Sequence, residues 1–360
     1  MKNILITGAA GFLGSHLLKT ILLRSTDEIY LLLRKKNGQD ILTRKDNLFE
    51  KMLYGPSVIK QRDLDRIHVI EGDLVKKDIG IRKSDLPELK DKINVIYNCA
   101  AIADFEWPIE EIRKINVQGT VNLLDTASDW YNSGCLKKVV HISTAYISGD
   151  YTDTFHENQT WVSQKFNNTY EQSKFEAEKA VSSYRNRGLP IDMFRPSIIM
   201  DSIPVNKKDR SFALRFFKMF ITNDFSEIPA DDTGTFNLIP VDITSEIIFL
   251  IANKDDLTAN SNYHIVNPCS VKISTFLEIA SRLSGFEKPK FISPEEFKNC
   301  SLSFVKKRLL EPFIPYLNQE KRFDMKNTAD ILKTQDIKIP EMTVQRLQDT
   351  FENCLSREIT

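Results

Sequence analysis

"ITGAAGFLGSHLLKTIL", residues 6–22, sets Gly8, Gly11 and Gly14 at even spacing between an apolar strand and an amphipathic helix. Glycine permits a tight turn and lets the backbone approach a pyrophosphate. The N-terminus of a helix adds N–H donors and a positive dipole. The preceding "NILIT" (3–7) reads as a buried strand and 12–24 as the helix. Strand, glycine turn and helix together predict a nucleotide-phosphate site near the beginning of the chain.

Outward from that stretch, "EIYLLL" (28–33), "RIHVIEG" (66–72), "NVIYNCA" (94–100), "KVVHIS" (138–143) and "IDMFRPS" (191–197) each read as buried strands. Helical patterns at 40–54, 109–131 and 169–187 lie between them. This alternation implies right-handed crossovers and an α/β fold, a Rossmann-like doubly wound parallel sheet covered on both faces. After about residue 200 the alternation weakens. "DSIPVNKKDR" (201–210) reads as a polar loop, "SFALRFFKMFI" (211–221) as an apolar helix and "PADDTGTFNLIPVD" (229–242) as turns with a strand. "NYHIVNP" (262–268) reads as a late strand and "ISTFLEIASRLSGF" (273–286) as a further helix. The expected organisation is a nucleotide-binding domain over 1–200 and a smaller substrate-binding part over 201–360, with the chain returning to the sheet around 235–268.

Composition narrows the function classes. The 360 residues are 41% hydrophobic and 27% charged, with 49 basic and 49 acidic side chains, so no bulk charge draws the protein to nucleic acid or an anionic membrane. Five scattered cysteines form no CxxC and indicate neither a disulfide framework nor a zinc or other metal site. A strand beginning at Asn3 leaves no room for a signal peptide, and no apolar run is long enough to span a bilayer. A cytoplasmic protein with reduced thiols and no transmembrane segment is expected.

The second strand selects the nucleotide. It ends "YLLLRKK", with Arg34, Lys35 and Lys36 where an NAD site commonly carries an acid for the ribose hydroxyls. A guanidinium there suits a 2′-phosphate, so NADPH is expected over NADH. Asp73 of "EGDL" (71–74) lies just past the third strand, within reach of adenine. "NCAA" (98–101) ends the fourth in small residues, as backbone running beside a dinucleotide requires. "HISTAYISG" (141–149) puts hydroxyls at the carboxyl end of the fifth predicted crossover strand, where open α/β sheets bind ligands. Tyr170 and Lys174 follow in "TYEQSKFEAEK" (169–179), four apart and so on one helix face. A tyrosine, with a reference pKa of about 10, needs nearby positive charge to exchange a proton near neutrality.

In order, "TGAAGFLG", "GDL", "NCAA", "NVQGT" (116–120), "STAY" and "YEQSK" make the chain resemble the extended short-chain dehydrogenase/reductase superfamily over roughly residues 1–200. "GFLGSHLLKTIL" with "YLLLRKK" and "RKDNLFEKMLY" (44–54), "FRPSII" (194–199), "NLIPVDI" and "YHIVNP" are similar to its thioester reductase and fatty acyl-CoA reductase branch, the male-sterility type. The resemblance implies that Tyr170 is the general acid/base and that Lys174 lowers its pKa while holding the nicotinamide ribose. Thr144 would polarise the substrate carbonyl, with Ser143 the alternative. It also implies cofactor contacts from Gly8, Gly11, Phe12, Leu13, Gly14, Arg34, Arg44, Asp73, Leu74, Ala100, Ala101, Asn116, Tyr170, Lys174 and Pro196, with a structural role equally open for Asn116. The implied reaction is NADPH-dependent reduction of an acyl thioester, on coenzyme A or a carrier protein, to an aldehyde and onward to a primary alcohol. Two other readings are a nucleotide-sugar epimerase, dehydratase or reductase, and a non-catalytic NADPH-binding protein. The 211–221 helix is expected either to line an acyl channel or to serve as a core helix, and a helix pair would support a homodimer.

Overall fold

The computed structural model describes residues 1–36, 38–53, 59–202, 211–223, 225–254, 260–335 and 337–356. Most of the expected loop at 201–210 lies outside the described residues, as does Tyr54. Six parallel strands appear where the apolar runs place them: β1 (Asn3–Thr7), β2 (Glu28–Leu33), β3 (Ile67–Glu71), β4 (Val95–Asn98), β5 (Lys138–Ile142) and β6 (Ile191–Pro196). A late strand, β7 (Asn262–Ile265), joins β6 at the edge, giving the order β7-β6-β5-β4-β1-β2-β3. β1 is buried on both faces because its apolar residues pair with β2 on one side and β4 on the other, Ile4 opposing Ile29 and Val95. The strand order reverses at β1. Its carboxyl end and that of β4 therefore open a crevice.

Helix α1 (Phe12–Arg24) buries Leu17, Leu18, Ile21 and Leu22, the i, i+1, i+4, i+5 stripe of a helix lying on a sheet. It stops at Ser25, whose Oγ and N–H both donate to the Ile21 carbonyl. Helix α2 (Ile41–Leu53) follows β2. The single helix expected over 109–131 is instead broken into α3 (Ile109–Arg113), a π turn (Lys114–Gln118) and α4 (Gly119–Ser133). The wide turn buries Asn116, whose amide is taken up by the backbone of Ile102 and by Ser173. π turns of this kind commonly mark functional sites. Helix α5 (Thr169–Asn186) carries Tyr170 and Lys174.

The chain divides into two compact units. The first comprises 1–147, 169–195 and 244–263, and the helix Val241–Ala252 is bound into it through Ser245 to Thr20 (2.9 Å) and Glu246 to Arg24 (2.8 Å). The second comprises 148–168, 196–243 and 264–360. Its strands are short: Ile198–Met200 pairs with Leu238–Pro240, and Thr235–Phe236 with Val271–Lys272. Its core is aromatic. In the helix Phe212–Asn223, Phe216, Phe217 and Phe220 are fully buried. Phe216 packs edge-on to Phe236 at 5.0 Å and Phe217 stacks on Phe351 at 4.1 Å. Of the two readings given for this stretch, the core helix is the one its packing matches.

Within that unit the segment 148–168 is held by long-range polar contacts. Buried Glu157 accepts from the N–H of His264 (2.8 Å) and from the N–H and hydroxyl of Thr328, and Lys321 donates to the carbonyls of Gly149 and Tyr151. Among the described residues no helix is long and apolar enough to cross a membrane.

Candidate active site

The glycine turn is shaped by what a side chain would hit. Gly8 has φ +73°, and a Cβ there would lie 2.6 Å from the Ala100 nitrogen. A Cβ on Gly14 would lie 2.2 Å from the Gly8 carbonyl oxygen. The turn closes by Gly11 N–H donating to Gly8 O at 2.9 Å, and Gly11 caps α1 without a side-chain bond. A crevice of about 590 Å³ runs past this turn. Gly8, Gly11, Arg34, Arg44, Asp73, Leu74, Ala100 and Ala101 all line it. Phe12, Leu13 and Gly14 form the first turn of α1 just beyond. A turn with no room for a Cβ at Gly8 or Gly14, at the mouth of a helix, fits a dinucleotide pyrophosphate.

Two arginines meet at the end of β2. Arg44, on α2, donates to the Arg34 carbonyl, and neither has a carboxylate partner among the described residues. Burial first, and then the charge of Arg34, lower the Arg44 pKa from its ordinary value. Asp73 Oδ1 accepts the Val75 N–H at 3.3 Å and shapes the far wall. Sequence reasoning did not identify Trp107 or Ile102, Ala103 and Asp104 as crevice residues. Trp107 is 41% exposed, and its one signal is that, with Phe105, it is one of two bulky aromatics alternating with acids in "ADFEWP" (103–108). Thr7 ties the two strand ends together, donating to Asn98 Oδ1 (2.8 Å) and accepting from Ala100 N–H (3.3 Å).

Thr144, Tyr170 and Lys174 converge at the carboxyl end of β5. The Tyr170 hydroxyl is hydrogen-bonded to the Thr144 side chain, and Thr144 Oγ1 also accepts the Tyr146 N–H at 3.2 Å. Ser143 Oγ, the other hydroxyl at this strand end, is buried without a hydrogen-bond partner among the described residues. Lys174 Nζ donates to the Ile142 carbonyl at 2.7 Å and is 2% exposed. Burial pulls the Lys174 pKa down to about 8, opposed by the charge of Glu178 one helical turn away. Burial pushes Tyr170 up to about 12, and its bond to Thr144 works against that rise.

Behind this trio lies a buried ion pair. Arg195 of β6 meets Glu178 of α5 in a fork, Nε to Oε1 at 2.9 Å and the second nitrogen to Oε2 at 2.6 Å, both side chains fully buried. Pro196 closes β6 one residue later. Asn116 is not a crevice-wall residue. Its Oδ1 accepts the Ile102 N–H at 2.8 Å and its Nδ2 donates to Ser173 Oγ at 2.9 Å, clamping α5 to the crevice rim.

Residues 6–248 match the family model described as Male sterility protein, an NAD-binding family. The chain belongs to this family. Among curated relatives, a putative fatty acyl-CoA reductase of Drosophila melanogaster is 26% identical over 275 residues, covering 67% of this chain and 52% of the relative. Human fatty acyl-CoA reductase 2 is 36% identical over 148 residues, 40% of this chain and 28% of the relative. The chain thus spans about half or less of the length of these relatives. Among solved structures, the terminal R domain from the myxalamid PKS-NRPS biosynthetic pathway superposes with TM-score 0.80 at 23% identity, covering 100% of this chain and 92% of that one. This male-sterility-type chain therefore has an NAD(P)-binding oxidoreductase fold, that of the thioester and acyl-CoA reductase branches of the extended short-chain dehydrogenases.

Proposed function

We propose that this protein reduces an acyl thioester with NADPH, the first unit holding the cofactor and the second receiving the acyl substrate. The observation that carries the reading is the Thr144–Tyr170–Lys174 cluster at the end of β5, on the same sheet as the glycine crevice. The crevice lined by Gly8, Gly11, Arg34 and Arg44 would hold NADPH, which would supply the hydride for the thioester carbonyl carbon. Thr144 and Tyr170 hold the carbonyl oxygen as it gains negative charge, and Tyr170 gives it a proton. The hemithioacetal so formed collapses to aldehyde and thiol. Lys174 stabilises the tyrosinate left behind. A second round on the aldehyde gives the primary alcohol.

Lys174 sets the pH range. It is charged below about 8 and neutral above, so its support of Tyr170 fades as pH rises through that value. Thioester reduction at saturating NADPH should hold steady at mildly acidic pH and decline above about 8. A rate that stays level well into the alkaline range would remove Lys174 from this role.

The preference for NADPH rests on Arg34 and Arg44, which line the same crevice with no carboxylate partner among the described residues and would suit a 2′-phosphate. Arg34→Ala should raise the KM for NADPH roughly 10- to 100-fold, the value of one charge-assisted contact, and leave that for NADH nearly unchanged. Equal loss with both cofactors would refute the assignment.

The reading as a whole is tested by NADPH oxidation against a panel of acyl-CoA and acyl-pantetheine thioesters, with nucleotide sugars alongside. Thioester-dependent oxidation is the expected result. The same fold also serves a UDP-glucuronic acid 4-epimerase from Bacillus cereus, TM-score 0.70 at 19% identity over 99% of this chain and 100% of that one. Turnover of a sugar nucleotide with silence on every thioester would replace the substrate class and keep the catalytic trio.

A further inference from the structure

The second unit carries a cleft of about 620 Å³ that the proposed chemistry does not use. Its walls are apolar and mostly flat: Pro229, Pro294, Phe297, Phe304 and Ile314. Its rim is cationic, with Lys298, Lys307 and Arg308 against the single acid Glu311. Arg308 is paired with Glu311 at 2.6 Å. Lys307 Nζ donates only to a neutral group, the Lys298 carbonyl, at 2.9 Å, and lies 5.9 Å from the centre of the Phe297 ring. Neither Lys298 nor Lys307 has a carboxylate partner among the described residues. From Phe297 to Leu310 the chain holds four cations and no acid. Phe304 is 82% exposed and Val305, next to it, 66%.

Flat apolar faces beside unneutralised ammonium groups match a planar heterocycle bearing phosphates, and the volume lies in the range of small-molecule sites. The cleft is also tied, within the second unit, to the segment 148–168. Ile314 sits in the short helix Ile314–Leu317, whose Tyr316 hydroxyl accepts from Asn168 Nδ2 at 2.6 Å. Asn168 stands two positions before Tyr170 in the chain.

We propose that this cleft binds the phosphorylated adenosine end of a coenzyme A thioester, an inference that rests on the thioester-reductase reading above. Adenine lies against the phenylalanine and proline faces. Lys298 and Lys307, with Arg308 once released from Glu311, take the 3′-phosphate and diphosphate. A small anion is favoured over the acidic face of a carrier protein because the cations rim a concavity rather than a flat surface.

The test uses the full chain at saturating NADPH, so that the cofactor crevice is closed to adenine nucleotides, and one acyl group presented on coenzyme A and on pantetheine. The double variant Lys298→Ala/Lys307→Ala should raise the KM for acyl-CoA about tenfold and leave acyl-pantetheine turnover unchanged. The double Lys→Arg variant should restore it. Adenosine 3′,5′-bisphosphate should compete with acyl-CoA and not with acyl-pantetheine. Parallel changes on both thioesters, no change on either, or a rate advantage confined to an acyl carrier protein would each overturn the proposal. Should neither thioester be reduced, the functional reading fails by itself, and calorimetric titration of the NADPH-saturated protein with free coenzyme A still decides the cleft. Binding that the alanine variant loses supports it, and absent or unaltered binding overturns it.

Discussion

Tyr170→Phe should lower kcat for thioester reduction by about 10³-fold, the scale of losing a positioned acid that also donates to a developing oxyanion. NADPH affinity should be essentially unchanged. The argument is one of position. The hydroxyl removed is hydrogen-bonded to Thr144, whereas the ring keeps its packing 6.2 Å from that of Phe105. Lys174 keeps its bond to the Ile142 carbonyl, and the glycine crevice contains no atom of Tyr170. Binding is measured by NADPH fluorescence titration and turnover by NADPH oxidation. Activity within a few-fold of the parent would sink the mechanism. Loss of NADPH binding in step with activity would instead make Tyr170 a cofactor anchor.

The parts of this molecule written in local pattern were legible in the sequence, and the parts made by distant contacts were not. β1, β2, β4, β5 and β6 announce themselves as short apolar runs because parallel strands inside a sheet are buried, whereas β3, read from its sequence as a buried strand, is the sheet edge and leaves His68 and Glu71 exposed. Gly8 and Gly14 are required by clashes within a few residues of themselves or directly across the switch point. The Tyr170/Lys174 spacing is one helical turn. The break at Lys114–Gln118 carries no breaker residue and follows from Asn116 reaching Ile102 and Ser173, which periodicity does not register. Arg44 sits beside Arg34 only because α2 folds back over the end of β2. The anchoring of 148–168 by Lys321 and Thr328 joins residues about 170 apart. The phenylalanines of 211–221 fit a channel wall or a core equally by sequence, and it is Phe236, Phe276 and Phe351, distant in the chain, that occupy their faces.

Arg195→Met should destabilise the protein by about 3–5 kcal/mol, because it leaves the Glu178 carboxylate buried with its forked partner gone. Removing both partners, as Arg195→Met/Glu178→Met, should recover most of that loss, since an apolar pair of similar volume leaves no uncompensated charge. Urea unfolding of the three proteins checks both statements, and a single variant no less stable than the double one would show that the pair is not what holds α5 to β6. The double variant then separates stability from chemistry. Glu178 is the group that chiefly opposes the burial-driven fall of the Lys174 pKa, with Cys99 contributing in the same direction. With Glu178 neutralised, Lys174 loses its proton at lower pH, and the alkaline decline of thioester reduction moves toward neutrality. A double variant that folds and keeps the parental pH profile would confine the ion pair to architecture; a shifted profile would make it the device that keeps a buried lysine charged at the pH where Tyr170 needs it.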